Sequence, residues 1–165
     1  MDDLDKNYTL ENKLQVASWA EIQECGTTGN KSLHSTIKFI PGQVMCKFGT
    51  KKSLARPNYL TVQISDHQDI MLSPEFLQYI NHSCAPNVFF DSSDRFLKAI
   101  DKIEIGEELT FFYPSTEWLM DRAFHYHCQS KNCLGTIRGA AYLLLEILTK
   151  YQLAQHIQQR LVQQV

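Results

Sequence analysis

Two short segments hold the residue types and spacings that could do chemistry. The first, Tyr79 to Asn87, reads Tyr-Ile-Asn-His-Ser-Cys-Ala-Pro-Asn, and the second, Gly106 to Tyr113, reads Gly-Glu-Glu-Leu-Thr-Phe-Phe-Tyr. The first segment crowds hydrogen-bonding side chains behind an apolar pair, and such groups are costly to bury without partners. A polar cluster that enters the interior surrounds a ligand or locks one chain crossing another. The two segments therefore predict a binding site, a crossing, or both.

The elements that must position these segments read as short strands separated by turns. Turn residues such as Pro41-Gly42 and the polar run 91–94 interrupt stretches that are rich in β-branched and aromatic residues. Many short strands of this kind predict a mainly β body. The candidate strands are Leu33–Ile40, Val44–Phe48, Tyr59–Ile64, Val88–Phe90, Phe96–Ile100 and Leu109–Tyr113.

The two ends of the chain differ from this body. Residues 1–12 are polar and are predicted to form a flexible N-terminus, followed by the body at 13–115 and a tail at 116–139. Residues 140–165 lack Pro and Gly and carry apolar stripes at helical spacing, so they predict a C-terminal helical segment. A helical hairpin or bent helix packed on the β body is favoured over a dimerisation helix.

Composition limits the class of protein. The 165 residues suffice for one domain, and 44% hydrophobic with 21% charged residues is typical of a folded globular chain. A net charge of −2 argues against a general nucleic-acid binder, although a local acidic groove could hold a basic protein. Five cysteines, with no apolar stretch of signal or membrane-spanning length, predict a reducing cytoplasmic or nuclear location and no membrane partner.

The two segments together resemble the signature pair of SET-domain protein lysine methyltransferases. That family's first motif reads Asn-His-Ser-Cys-x-Pro-Asn, and its second reads Gly-Glu-Glu-Leu-Thr followed by Tyr; both match almost in full and in order, and the resemblance covers about residues 30–139. It implies a SET-type fold of several short twisted sheets around a pseudoknot. It also implies S-adenosyl-L-methionine as cofactor and a protein or peptide substrate that presents a lysine.

The family's glycine-rich turn is altered in this chain. Asn30 and Ser32 stand where the family has glycines that let the backbone approach the cofactor. In relatives this turn contacts the cofactor mainly through main-chain groups, so the change need not abolish binding. The resemblance therefore still implies cofactor contacts at Lys31, Ser32 and Leu33.

Three residues of the two motifs carry the implied chemistry. Asn81 and His82 match family positions that hold the cofactor through side-chain and backbone hydrogen bonds; the structural alternative is that they satisfy buried backbone groups. Tyr113 matches the catalytic tyrosine and also borders the cofactor; its alternative is a core tyrosine at a strand end. Methyl transfer to a neutral amine requires alignment and desolvation, which a phenol at the meeting point can assist.

Two aromatic residues are implied to bind the substrate. By the two-residue period of a strand, Phe111 shares a face with Tyr113. The family has Phe or Tyr at this site, and a Tyr tends to stop the reaction after one methyl group, so Phe111 predicts di- or trimethylation. Trp118, together with Phe124 and Tyr126, is a candidate aromatic wall for the lysine channel or the adenine.

The tail resembles a degenerate post-SET segment. Its family version joins three tail cysteines to the motif cysteine around one zinc, but Tyr126 replaces the first of them, leaving Cys84, Cys128 and Cys133. Three thiolates fall one short of a closed structural site unless a nearby histidine joins them. We therefore predict no metal and favour close thiol packing over zinc.

A lysine N-methyltransferase is the function that these motifs favour. The altered glycine turn and the broken zinc pattern favour the alternative, a catalytically inactive SET module that binds a peptide or partner. A small metal-binding scaffold is a more distant third reading. The sequence is compatible with a monomer or a homodimer, and it does not identify the substrate.

Overall fold

The computed structural model describes residues 10–127 and 129–164. Its regular elements are mostly strands of two to eight residues. The strands are β1 (Leu10–Ala17), β2 (Ala20–Cys25), β3 (Lys31–Ser35), β4 (Val44–Lys47), β5 (Gly49–Leu54), β6 (Val62–Ser65), β7 (Gln68–Ser73), β8 (Asn81–His82), β9 (Val88–Asp91), β10 (Phe96–Ala99), β11 (Thr110–Phe111), β12 (Phe124–Tyr126) and β13 (Gly135–Ile137). The helices are the 3₁₀ turns Glu75–Tyr79, Tyr113–Ser115 and Ala140–Tyr142, with α1 (Leu145–Leu148) and α2 (Gln155–Gln163).

These strands form five small sheets instead of one large one. Three are three-stranded, in the orders β1-β2-β3, β4-β10-β9 and β5-β7-β6, and two are the pairs β8-β11 and β12-β13. The neighbouring strands of the larger sheets run antiparallel, whereas β8 and β11 run parallel. The prediction of a mainly β fold with several small sheets is confirmed.

A chain crossing joins the two motif segments. Thr110 lies opposite Asn81 and Phe111 opposite His82 in the parallel β8–β11 pair. The buried side chain of Asn87 locks this crossing, because its Nδ2 donates to the Glu108 carbonyl (2.8 Å) and its Oδ1 accepts from the Thr110 N–H (2.9 Å). Part of the polar cluster therefore pays its desolvation cost by pairing with the backbone of the crossing strand.

Two apolar cores lie on either side of the second motif. The larger core fills the space between the sheets and includes Phe90, Leu109 and Phe111. The smaller, C-terminal core gathers Phe112 with residues of the last segment. Phe111 and Phe112 are adjacent in extended backbone and therefore point into different cores. The C-terminal core consists of Phe112, Trp118, Ala140, Leu148, Ala154 and Ile157.

The C-terminal segment packs on the body but is more broken than expected. We expected a helical hairpin or bent helix; the structure has a 3₁₀ turn, a four-residue helix and a nine-residue helix. Leu148 and Ile157 are fully buried, whereas Leu144, which precedes α1 with extended backbone, is 63% exposed. The Tyr151 hydroxyl donates to the Cys84 carbonyl (2.7 Å), which ties this segment to the first motif.

Some element boundaries differ from the sequence predictions. Residues 10–12, which we expected in the flexible N-terminus, belong to β1, and residues 1–9 lie outside the described residues. The strand predicted for Leu109–Tyr113 is reduced to β11, because the chain enters a 3₁₀ turn at Tyr113 with Pro114 as its second residue. Within the described part of the chain, no helix is long and apolar enough to cross a membrane.

Candidate active site

A cavity of about 1440 Å³ opens between β3, β8, β11 and the segment that follows the 3₁₀ turn at Tyr113. Six of the eight predicted site residues line it. They are Lys31, Ser32, Asn81, His82, Phe111 and Tyr113. The convergence of residues separated by up to 82 positions follows from the crossing of β8 and β11 and from the pairing of β3 with the second motif at His34 and Glu108.

The altered glycine turn contributes both main-chain and side-chain groups. Lys31 is exposed and places its ammonium 5.4 Å from the centre of the Tyr79 ring, while the Ser32 hydroxyl lies 2.8 Å from His34 Nε2. Leu33 is fully buried and does not line the cavity; its carbonyl accepts from the Leu109 N–H at 2.8 Å. Leu33 therefore fixes the turn against the second motif, and its predicted cofactor contact is not supported by its position.

Asn81 links three parts of the cavity wall. Its Nδ2 donates to the Lys31 carbonyl (3.2 Å) and to Glu108 Oε1 (3.1 Å). Within residues 10–127 and 129–164, its Oδ1 has no hydrogen-bond partner, so an acceptor remains for a ligand hydroxyl or ammonium. The structure shows Asn81 supporting a main-chain carbonyl and a neighbouring side chain, and its role in holding the cofactor stays a prediction.

His82 is buried, and the backbone of Tyr113 orients its ring. Its Nδ1 accepts from the Tyr113 N–H (3.2 Å), so Nε2 carries the ring proton and points to Cys84 Sγ at 3.4 Å. Burial lowers the pKa of His82 to about 4, so the ring is neutral near pH 7. Its side chain positions Tyr113 and packs against the rings of Phe124 and Tyr126, 6.0 and 5.7 Å away between centroids.

Tyr113 lies at the meeting point of the cavity walls. Its ring centroid is 4.6 Å from that of Phe111, 5.2 Å from that of His82 and 5.9 Å from that of Phe124. Burial, and then the negative charge of Glu117, raise the pKa of Tyr113 well above its usual range. The phenol is therefore a neutral hydrogen-bond donor at any pH near neutrality.

Phe111 forms an apolar part of the wall. It is buried, and its ring meets Phe90 edge-on at 4.9 Å between centroids as well as contacting Tyr113. Phe111 and Tyr113 both face the cavity, as the two-residue period predicted, although Tyr113 already belongs to the 3₁₀ turn. Phe112, between them, faces away and stacks on Tyr151 at 3.6 Å between centroids.

Trp118 does not line the cavity, and its predicted role as a substrate wall does not match its position. It is buried in the C-terminal core, where the Arg160 guanidinium lies 5.3 Å from the centre of its ring. The physical cause is local: the Trp118 N–H donates to Gln63 Oε1 (2.9 Å) and its carbonyl accepts from Ala141 (3.1 Å), which turns the side chain toward α2. Phe124 and Tyr126, the other two candidate aromatic residues, do line the cavity.

The sequence analysis missed four carboxylates that line the cavity, Glu24, Glu108, Glu117 and Asp121. Glu108 could have been found, since it belongs to the second motif and lies opposite His34. Glu117 follows Tyr113 by four residues, and nothing in the sequence marks it as buried. It is 6% exposed, lines the cavity, and accepts from the Gln63 N–H through Oε2 (2.9 Å).

The tail cysteines show no metal site among the described residues. No group of three or more His, Cys, Asp or Glu side chains there could hold a metal ion. Cys84 contacts His82, and Cys133 Sγ donates to the Tyr126 carbonyl (3.2 Å). Cys128 lies outside the described residues, so the preference for thiol packing over zinc stays a prediction.

Comparison with known proteins places this geometry in a family. The SET domain model matches residues 4–114. A relative from Aspergillus flavus, Methyltransferase flvH, is 36% identical over 139 residues, which are 83% of this chain and 78% of the relative. The chain therefore belongs to the SET-domain family. The family match and this relative together support methyltransferase activity.

Solved structures share the fold. The crystal structure of KRYPTONITE in complex with mCHH DNA, H3(1–15) peptide and SAH matches with a TM-score of 0.53 and 23% identity, over 78% of this chain. A second KRYPTONITE structure, with mCHG DNA and SAH, matches with a TM-score of 0.50 and 22% identity, over 67% of this chain. The chain spans only about a third of the KRYPTONITE chains (31% and 27%), so the likeness concerns the SET fold alone.

Proposed function

We propose that the protein is an S-adenosyl-L-methionine-dependent N-methyltransferase that acts on a lysine of a protein or peptide. One observation carries the proposal. The fold brings the motif residues Asn81, His82 and Tyr113 to one cavity with Phe111 and the Lys31–Ser32 turn. The family membership and the methyltransferase relative support the same activity.

The cavity suits a cofactor and a substrate side chain together. Its volume exceeds the roughly 300–1,000 Å³ of a pocket for one small ligand. Lys31, Ser32 and the unpaired Oδ1 of Asn81 would hold the charged and hydroxyl-bearing parts of the cofactor, and the Phe124 and Tyr126 rings would pack on its adenine. When bound, the cofactor supplies a methyl group attached to a positively charged sulfur.

Residues of the protein align the substrate amine and shield it from water. His82 holds the Tyr113 backbone through Nδ1, and the neutral Tyr113 phenol can donate to a lone pair at the point where donor and acceptor meet. The Phe111 ring, which packs on the fully buried Phe90, makes the same wall apolar, and this favours the neutral form of the amine that can react.

The extent of methylation follows from the same wall. Phe111 presents a hydrocarbon edge with no hydroxyl to hold water or fill the space beside the amine. After one transfer the amine must rotate and place its methyl group against the wall. We therefore propose di- or trimethyllysine as the product.

The class of substrate is also a proposal. KRYPTONITE was solved with an H3(1–15) peptide, which supports a peptide segment as the kind of substrate that this fold accepts. The compartment that we expect is reducing, either cytoplasmic or nuclear, and no disulfide joins the described cysteines.

Labelled cofactor and a lysine peptide array that includes H3(1–15) would test this function. We expect methyl incorporation into lysine, located by mass spectrometry, and loss of incorporation when the array's lysines are replaced by arginine. Calorimetry with the cofactor runs in parallel. Cofactor binding without transfer to the array or to a cell lysate would favour the inactive SET module, and absence of cofactor binding would refute the proposal.

A further inference from the structure

A buried carboxyl faces the cavity one helical turn after Tyr113. The Glu117 N–H donates to the Tyr113 carbonyl at 3.0 Å, so residues 113 and 117 are separated by a single closed turn. Side chains four residues apart on such a turn lie on the same side. Both line the cavity, as does Phe111. Glu117 therefore shares the cavity wall with Tyr113 and Phe111.

No salt bridge to Glu117 is formed by the part of the chain that the structure describes. Buried glutamates are rare unless they are paired. Burial raises the pKa of Glu117 to about 8, with Asp69 adding to the rise and the hydrogen bond from Gln63 opposing it. When this carboxyl ionises, it therefore has no ion-pair partner among the described side chains.

A structural role alone does not explain an acid here. Glu117 and Trp118 clasp Gln63 of β6, because Gln63 N donates to Glu117 Oε2 and Trp118 N donates to Gln63 Oε1 (both 2.9 Å). A neutral glutamine could accept the first of these bonds equally well and would avoid the cost of burying an ionisable group. The clasp explains the position of the side chain but not its charge.

We propose that Glu117 binds the ammonium group of the substrate lysine and accepts one of its protons. The N–H bond of the ammonium breaks, the proton moves to a Glu117 carboxyl oxygen, and the electron pair stays on nitrogen as the lone pair that attacks the methyl carbon. The products of this step are a neutral amine and a neutral carboxylic acid, so charge is conserved. The inference rests on the proposed function and assigns the residue that prepares its nucleophile.

The charged and titratable neighbours set the sign of the expected pH dependence. Asp69 of β7 faces Glu117 and raises its pKa, while Tyr113 on the preceding turn stays neutral. Tyr126 and Glu108 act on Tyr113 from β12 and from the second motif. Glu117 must be ionised to receive an ammonium, whose own pKa is about 10.4 when free. The profile of kcat/KM against pH should therefore be a bell with limbs near 8 and near 10.

Glu117→Gln is the decisive variant. The assay uses the lysine peptide that the array gives as the best methyl acceptor, at saturating cofactor. We expect kcat/KM at pH 8 to fall on the order of 100-fold. The bell should be replaced by a single limb that rises to the pKa of free lysine, because only the already neutral amine can react. Cofactor affinity, measured by calorimetry, should change less than threefold.

Asp69→Asn is the matched control, since it also turns a buried carboxyl into an amide but lies outside the cavity lining. In Asp69→Asn, the acidic limb of the profile of kcat/KM against pH should move to lower pH, and the maximum value of kcat/KM should not fall. An unchanged bell in Glu117→Gln would overturn the inference and leave the methyltransferase proposal intact. If Glu117→Gln does not fold, the wild-type and Asp69→Asn profiles decide: a limb near pH 8 that moves down supports the inference, and its absence overturns it. A wild type that methylates no lysine refutes the proposed function instead.

Discussion

The two sides of the cavity differ in how their polar side chains are paired. On the β3 side, the side chain of Asn81 pairs with a main-chain carbonyl and with Glu108, and Ser32 pairs with His34. On the β6 side, the carboxyl of Glu117 is buried with a main-chain partner but no positive charge. The β3 side thus shows a preformed set of hydrogen bonds. The β6 side has a buried carboxyl that a positively charged ligand could neutralise.

The two sides of the cavity therefore suit different ligands. Preformed, paired polar groups hold a cofactor in a fixed position at little reorganisation cost. An uncompensated buried carboxylate favours a cation that arrives, reacts and leaves as its charge state changes. Tyr113 lies between the two sides, held from behind by His82, and can serve both.

Removing the group between the two sides should have the largest effect. Tyr113→Phe deletes one hydroxyl and leaves the ring contacts with Phe111 and His82. Turnover should fall by roughly two to four orders of magnitude while cofactor affinity stays within a few-fold, since the lost contact matters mainly in the transition state. Single-turnover kinetics and calorimetry measure the two quantities. The exposed Tyr142 provides the control Tyr142→Phe, and turnover of Tyr113→Phe within a few-fold of that control would remove Tyr113 from catalysis.

Asn81→Ala should damage the β3 side selectively. It removes the acceptor Oδ1 and both bonds of Nδ2, so cofactor binding should weaken by roughly 1–3 kcal/mol or more. Calorimetric titration with the cofactor measures the change, with the exposed Asn132→Ala as the control. Unchanged affinity in a variant that keeps the wild-type melting temperature would exclude Asn81 from the cofactor site.

The buried carboxyl of Glu117, on the β6 side, should make the free energy of unfolding depend on pH. Because the pKa of Glu117 is raised from its ordinary 4.5 to about 8, the folded state holds this proton more tightly than the unfolded state does. Its contribution to stability is complete below pH 4.5 and is lost as pH rises through 8. The unfolding free energy of wild type should therefore fall by about 2 kcal/mol more than that of Glu117→Gln between pH 6.5 and 8.

Urea unfolding at several pH values measures this difference. Buried His82, whose pKa is lowered from 6.5 to about 4, acts in the opposite direction and loses stability as pH falls from 6.5 through 4. It is present in both proteins and cancels in the comparison. Parallel curves for wild type and Glu117→Gln would mean that the carboxyl is not desolvated in the folded protein.

Phe111→Tyr should have the smallest effect on rate and should change the product. The added hydroxyl lies at the wall and not on the reaction axis, so the first transfer should slow only a few-fold while the product shifts toward monomethyllysine. Mass spectra at equal extent of first turnover report the distribution. Phe112→Tyr makes the same change one residue later, in the C-terminal core, and should leave the product unchanged. A wild type that stops at one methyl group with excess cofactor would contradict the role of Phe111.

The amino-acid sequence was enough to predict the family, the mainly β architecture and six of the residues that line the cavity. Asn81, His82 and Tyr113 belong to motifs whose polar residues have fixed partners in the chain crossing, so their order along the chain carries their arrangement in space. The two-residue period placed Phe111 with Tyr113. Local chemistry and short-range geometry sufficed for these residues.

Only the tertiary structure decided the position of Glu117 and Trp118. Nothing in the sequence distinguishes where these two neighbouring side chains point. Glu117 nevertheless lines the cavity, and Trp118 belongs to the C-terminal core. The deciding contacts come from Gln63 of β6 and from Arg160 of α2, 54 and 42 positions away. Burial, and with it the raised pKa of Glu117, depends on which distant elements pack around a side chain, and no local pattern in the sequence encodes that.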